Sequence, residues 1–205
     1  MIAVIDYGRG NLGSVEKAFG RLGMRAVVTE DPRVVEDAEA VVLPGDGAFH
    51  DAMANLGARA LLDPVRATIE GSRPFLGICL GYQLLFTESE EFGQGKGLDI
   101  LPGAVRRFPR GPKVPHMGWN SVEHRGDLAL FEGVPSGAHF YFVHSYYPET
   151  DDPSVKVASC TYGVSFAAAV ERGPLFATQF HPEKSQKWGL RLLENFAAFV
   201  RDRRR

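Results

Sequence analysis

At 205 residues, with 44% hydrophobic and 23% charged content, the chain can bury a core without disulfides or a structural metal. A formal net charge of −2 gives no overall attraction to nucleic acid or an anionic membrane, and no apolar stretch approaches the ~18 residues of a membrane span. Two cysteines, in a chain whose opening Met1-Ile2-Ala3-Val4-Ile5-Asp6 lacks a basic n-region and cleavage site, point to free thiols and the cytoplasm.

In chain order, residues 2–6 predict a strand, and Leu12, Val15, Phe19 and Leu22 recur at the three-and-four spacing of a helix. Between them Gly8-Arg9-Gly10-Asn11-Leu12-Gly13 matches the G-x-G-x-x-G dinucleotide fingerprint, with Glu30 or Asp31 downstream. Asp6 sets a carboxylate where a pyrophosphate would sit, and nothing downstream suits hydride transfer, so the match reads as a decoy. Residues 26–29 and 40–43 are further apolar runs, ending in Asp31-Pro32 and Pro44-Gly45 turns. Residues 74–78 form another, and a helical pattern restarts over 80–86.

The second half changes character. Residues 104–108, 114–122, 139–145, 156–162, 164–171 and 175–179 predict strands separated by Gly, Pro and Asp turns, mostly without helices between them. A final helix from about residue 185 carries Leu192, Leu193, Phe196, Ala197 and Val200 on one face. The arginine-rich run 201–205 reads as a solvated last turn that complements the helix dipole. The whole predicts one α/β domain, residues 1–205, with a mostly parallel sheet covered on both faces and antiparallel strands added in the second half.

Chemistry concentrates at two strand ends. Gly77-Ile78-Cys79-Leu80-Gly81 is the cysteine version of a nucleophile elbow. Its glycines permit a strained turn, and the helix that follows favours thiolate at its N-terminus. Cys160 has no such frame and reads as a packing residue. His181 ends another strand, and Pro182 biases it towards an extended conformation. In an extended chain residues i and i+2 point the same way, which brings Glu183 beside the ring as the orienting acid of a triad. His144, in His144-Ser145-Tyr146, is the reserve base. A metal site built from Cys79, His144, His181 and Glu183 stays open, but no C-x-x-C or H-E-x-x-H pair supports it. Neither metal nor cofactor is expected.

Cysteine, histidine and glutamate in that order resemble the triad of class I glutamine amidotransferases. The opening 6–12, the loop Pro44-Gly45-Asp46-Gly47, the elbow 77–83, the segment Pro115-His116-Met117-Gly118-Trp119-Asn120 and the close His181-Pro182-Glu183-Lys184-Ser185 are similar, over nearly the whole chain, to glutaminase subunits of imidazole glycerol phosphate synthases. Asp46 stands where that group commonly has valine. The resemblance implies a flavodoxin-like three-layer sandwich and attack of Cys79 on the side-chain amide of L-glutamine. Backbone N–H groups of Leu80, Asp46 and Gly47 would form the oxyanion hole, and Gln83, Ser145 and Tyr146 would hold the glutamine. It further implies a heterodimer with a (β/α)8-barrel cyclase that receives the ammonia, contacted through Asn11, Met117, Trp119, Asn120 and Lys184. Trp119, in a Pro- and Gly-rich segment, suits an interface anchor, although a core position is the alternative. Two other readings remain: the glutaminase subunit of another synthase, such as anthranilate synthase, and a non-catalytic binding subunit of the same fold. No nucleic-acid or membrane partner is expected.

Overall fold

In the computed structural model, which describes residues 1–203, the first apolar runs become β1 (Ile2–Ile5), β2 (Ala26–Thr29), β3 (Ala40–Leu43) and β4 (Phe75–Ile78). The helices between them are α1 (Leu12–Arg21), α2 (Pro32–Glu36), α3 (Phe49–Ala58) and α4 (Leu62–Glu70), and α5 (Leu80–Gln83) follows β4. The Asp31-Pro32 turn starts α2: the Asp31 carboxylate accepts the Arg33 N–H at 2.9 Å and Pro32 opens the first turn. Beyond α5 come β5 (Phe86–Ser89), β6 (Gly95–Lys96), β7 (Leu101–Arg107), β8 (His116–Val122), β9 (Ala138–His144), β10 (Tyr146–Glu149), β11 (Lys156–Tyr162), β12 (Val164–Arg172), β13 (Leu175–Thr178) and α6 (Gln186–Asp202).

The main sheet runs β11-β12-β13-β4-β3-β1-β2. Its strands from β13 to β2 are parallel, in the order of a flavodoxin-like sheet, and β12 and β11 extend it antiparallel. Alternate residues of each buried strand serve opposite faces. Ile2, Val4 and Val42 meet Phe19 of α1 and Phe196 of α6 on one side. Ala3, Ile5 and Val41 meet Phe49, Leu56 and Val65 of α3 and α4 on the other. The Phe19 and Phe196 rings lie 6.0 Å apart across the α1–α6 contact. Both are fully buried, so truncating either to alanine removes about 3–5 kcal/mol. Smaller units complete the second half: a four-stranded sheet β10-β7-β5-β6 and the hairpin β8–β9.

One expectation needs correction. The helical pattern over 80–86 stops at Gln83, and Phe86 opens a strand. The Leu84 carbonyl is taken by the Leu98 N–H at 2.8 Å, and the Leu85 carbonyl by Ile100 and Leu101 at 2.9 Å each, so the chain pairs outward instead of winding on. At the tail, Arg201 stands in the last turn of α6, which runs to Asp202, while Arg204 and Arg205, the end of the basic run, lie outside the described residues. Among the described residues no helix is long and apolar enough to cross a membrane.

This layout positions the chemistry. β4 and β13 are parallel neighbours, pairing Ile78 with Thr178 at their carboxyl ends. The loops that follow both strands therefore leave the sheet side by side, where open α/β sheets gather their ligands.

Candidate active site

Cys79 follows β4 directly and takes φ 54°, ψ −106°, in the left-handed half of conformational space. Its N–H donates to the Thr178 carbonyl at 2.7 Å, tying the strained residue to β13. The glycines around it are required by contact. A Cβ on Gly81 would sit 1.8 Å from the Leu43 carbonyl oxygen, and one on Gly77 would be 3.0 Å from the Gly81 carbonyl oxygen. Leu80 opens α5, so its N–H has no partner within the helix and faces the same end as the sulfur. Cys160, by contrast, sits on β11, where burial pushes its thiol up to about 12. It packs in the core.

His181 lies just past β13, extended at φ −95°, ψ 100°. Its N–H donates to the Tyr141 carbonyl at 3.0 Å, and its own carbonyl accepts the Ser185 hydroxyl at 2.6 Å. Nδ1 meets Glu183 Oε1 at 2.8 Å, with both side chains almost fully buried. The reason differs from the sequence argument. Residues Pro182–Lys184 form a 3-10 turn, so Glu183 folds back under the ring instead of continuing an extended chain. Burial alone would lower the proton affinity of His181; Cys79 and Glu183 overcome it and raise that affinity above the ordinary range. Nε2, the nitrogen left over, is buried and has no hydrogen-bond partner among the described residues.

Cys79, Leu80 and His181 open onto one cavity of about 380 Å3, which Asp46, Gly47 and Gln83 also line. Ser145, Tyr146 and Lys184 lie in its wall with Glu91, Pro115, Val143 and His144, so the residues expected at the oxyanion and glutamine positions line one cavity. Asp46 and Gly47 are exposed at its mouth, and Gly47 adopts φ +89°, which a side chain would strain. Gly10 packs against Gly45, placing exposed Asn11 next to this loop. Among the expected interface residues, Met117 and Trp119 alternate on β8 and are 63% and 46% exposed, so Trp119 is not a core residue. Asn120 is half-buried, and its amide turns inward to His116 and the Thr161 carbonyl.

The reserve base does not serve. His144 Nδ1 is 2.7 Å from the Tyr146 carbonyl and Nε2 is 2.9 Å from His116 Nδ1, so both nitrogens are engaged away from Cys79, which also breaks up the metal set. The fingerprint near the N-terminus fails for the reason anticipated: the Asp6 carboxylate accepts the Gly8 N–H at 2.8 Å, occupying a donor that a pyrophosphate would need. One residue escaped the sequence reading. Gln179 is fully buried and its Nε2 lies 3.8 Å from Cys79 Sγ. A glutamine inside the apolar run 175–180 was the available signal.

The family described as glutamine amidotransferase class-I matches residues 3–199. The chain belongs to that family. It is 55% identical over 203 residues to the imidazole glycerol phosphate synthase subunit HisH of Syntrophotalea carbinolica, covering 96% of this chain and 98% of that one. The HisH subunit of Moorella thermoacetica is 54% identical over 200 residues, 98% and 95% of the two chains. A glutamine amidotransferase crystal structure superposes with a TM-score of 0.77 at 21% identity, over 98% of this chain and 99% of that one, and shares the fold. Within that shared fold the cysteine elbow and the His181–Glu183 pair meet at one cavity.

Proposed function

We propose that this amidotransferase hydrolyses L-glutamine through Cys79, His181 and Glu183 and passes the ammonia to a cyclase subunit. The observation that carries the reading is the convergence of the elbow cysteine and the His181–Glu183 pair, held at 2.8 Å, on one cavity from adjacent strand ends. Raised proton affinity at His181 favours an imidazolium beside a Cys79 thiolate. The thiolate attacks the side-chain amide carbon of glutamine. Negative charge then collects on the oxygen, facing the N–H groups of Leu80 and of Asp46 or Gly47. His181 Nε2 gives its proton to the leaving ammonia, and a glutamyl thioester remains. Water, deprotonated by the now neutral His181, releases glutamate. Glu183 holds the ring so that Nε2 is the nitrogen exchanging protons.

The partner assignment follows from the HisH relatives, named as subunits of imidazole glycerol phosphate synthase. In this reading residues 1–205 act as one amidotransferase domain in the cytoplasm, in a heterodimer with a (β/α)8-barrel cyclase. Asn11, Met117, Trp119, Asn120 and Lys184 border the contact. Ammonia crosses to the cyclase, which forms imidazole glycerol phosphate and an aminoimidazole carboxamide ribonucleotide in histidine biosynthesis.

The test is Cys79→Ala in the assembled complex. Synthesis from glutamine is expected to vanish while synthesis from added ammonium salt persists, because the cysteine acts only in releasing ammonia. Loss of both activities in a folded complex, or retention of both, overturns the reading.

A further inference from the structure

Gln179 belongs to a hydrogen-bond network whose orientation is fully determined. The Tyr146 carbonyl can only accept. The atom of Gln83 lying 2.9 Å from it is therefore the amide nitrogen, and the His144 nitrogen at 2.7 Å is protonated Nδ1. Gln83 spends its second amide hydrogen on Gln179 Oε1 at 3.0 Å. That in turn directs Gln179 Nε2 towards the Cys79 sulfur, 3.8 Å away. On the other side His144 Nε2 must accept, so His116 Nδ1 donates to it at 2.9 Å. Asn120 donates to His116 Nε2 at 3.2 Å and to the Thr161 carbonyl at 3.1 Å. Every nitrogen in the network that donates faces an acceptor.

Geometry also protects the chain. Gln179 is fully buried, and its N–H is fixed to the Ala168 carbonyl at 2.8 Å. His116 is stacked between Phe142 and Tyr162, with ring centroids at 4.8 and 4.0 Å. Burial lowers His116 to about 4 and His144 to about 3, so both stay neutral at physiological pH, as their donor–acceptor roles need. Two donor runs, Asn120–His116–His144 and Gln83–Gln179–Cys79, share the Tyr146 carbonyl as their common anchor, and within each run the hydrogen bonds polarise and stiffen one another in the low-dielectric interior.

We infer that Gln179 is a positioning residue, the last link of a polar relay from the β8–β9 hairpin, which sets the Gln83 amide and holds an N–H on the Cys79 sulfur. With both Gln83 amide hydrogens committed, only its Oε1 is left to meet a ligand in the cavity. The same Gln179 donor stabilises negative charge on the sulfur. The inference rests on the glutaminase reading above for its ligand but not for its geometry.

Two variants test it. Gln179→Met keeps approximate volume and removes both links. Gln179→Glu keeps an acceptor for Gln83 and replaces the donor facing sulfur by an oxygen. Iodoacetamide labelling of Cys79 across pH, on the chain alone, reads the sulfur. The pH midpoint of labelling is expected to rise in both variants, more in Gln179→Glu. In complex with the cyclase, Gln179→Met is expected to raise KM for glutamine roughly tenfold, the scale of one or two lost hydrogen bonds, with a smaller change in kcat. Gln179→Glu should hold KM within about twofold, since its acceptor remains. Buried polar residues of purely structural importance would shift the thermal transition and leave KM and midpoint alone. Unchanged midpoint and KM in folded Gln179→Met overturns the inference; if that variant does not fold, an unchanged midpoint in Gln179→Glu does so. Absence of glutamine hydrolysis in the parent complex would instead overturn the glutaminase reading, leaving the labelling result to stand by itself.

Discussion

His144 and His181 border one cavity and are similarly buried, at 6% and 4% exposed, yet their proton affinities move in opposite directions. His144 is driven down to about 3, chiefly by burial, with the neighbouring His116 and His181 adding to the fall. His181 suffers the same burial, but the Cys79 and Glu183 charges reverse it. The two also differ in satisfaction. Both nitrogens of His144 are bonded, whereas His181 Nε2 has no partner among the described residues. Four buried side-chain polar atoms lack a partner among the described residues, and three of them, Tyr7 Oη, His181 Nε2 and Glu183 Oε2, belong to the triad or to the loop beside it. The inner relay is saturated and the reacting edge is open. That contrast separates a histidine that shapes the site from one that exchanges protons in it.

The sharpest way to break the comparison is to delete each ring in turn. His181→Asn is expected to lower kcat for glutamine hydrolysis by about 10²–10⁴, the usual contribution of a general acid–base. His144→Asn should lower kcat by less than about tenfold and act mainly on KM, because it loosens the Tyr146 and Gln83 contacts without removing a proton carrier. Steady-state kinetics on the cyclase complex decides. Equal losses of kcat in the two variants would show that the division of labour is wrong.

Much of this contrast was legible in the sequence, and its limits are instructive. The elbow could be read because its pattern is local: Gly77, Cys79 and Gly81 lie within five residues, and the Gly77 clash arises within that turn, although the closest clash at Gly81 is with the Leu43 carbonyl of β3 and shows only in the fold. His181 and Glu183 were found by the right neighbours for the wrong backbone, since the 3-10 turn at Pro182–Lys184 gives no periodic signal. The relay was invisible. Its links join Gln83 to Tyr146 and Gln179, and His116 to His144, across separations of 63, 96 and 28 residues, and only the paired strands bring them together. β5, β6 and β10 were missed because, unlike the equally short β1 to β4, they carry no continuous apolar run: Thr87 and Glu88 interrupt β5, β6 is only Gly95–Lys96, and Pro148 and Glu149 end β10.

Acid should sharpen the comparison through stability. An unfolded histidine takes up a proton near pH 6.5. Folded His116 and His144 resist protonation down to about 4 and 3, so the unfolded state binds more protons in the intervening range. Their contribution is therefore complete above pH 6.5 and is lost as pH falls towards their folded values. His181 has the opposite sign: its raised affinity contributes below pH 6.5, and that contribution is lost as pH rises through its folded value. His116→Phe keeps a ring between Phe142 and Tyr162 but removes one titrating group. Its unfolding free energy, from denaturant titrations at pH 5 and 6, should fall with acid less steeply than the parent's by about 1 kcal/mol per pH unit. Parallel slopes would mean that His116 already carries a proton in the folded chain.

The smallest effect concerns the third open atom. Tyr7 is fully buried beneath the 44–47 loop, where a Cβ added to Gly45 would lie 1.9 Å from its hydroxyl oxygen. That hydroxyl has no partner among the described residues, and burial, followed by the Cys79 and Asp46 charges, makes its ionisation more difficult. A buried donor left unpaired is a net cost to folding, whereas the ring itself packs among apolar neighbours such as Ile5 and Leu80. Tyr7→Phe deletes the unpaired oxygen and leaves the ring. The chain should therefore keep its stability or gain up to about 1 kcal/mol, read from the denaturant midpoint at unchanged slope. Gly45→Ala provides the contrast, because its methyl would collide with the hydroxyl and must displace the loop that carries Asp46 and Gly47. In the Tyr7→Phe background that collision is relieved, so the double variant should recover part of the loss seen in Gly45→Ala alone. Destabilisation of Tyr7→Phe by more than about 1 kcal/mol would show instead that the hydroxyl is paired in solution, through an ordered water, and that the open edge of the site is narrower than the His181 and Glu183 atoms imply.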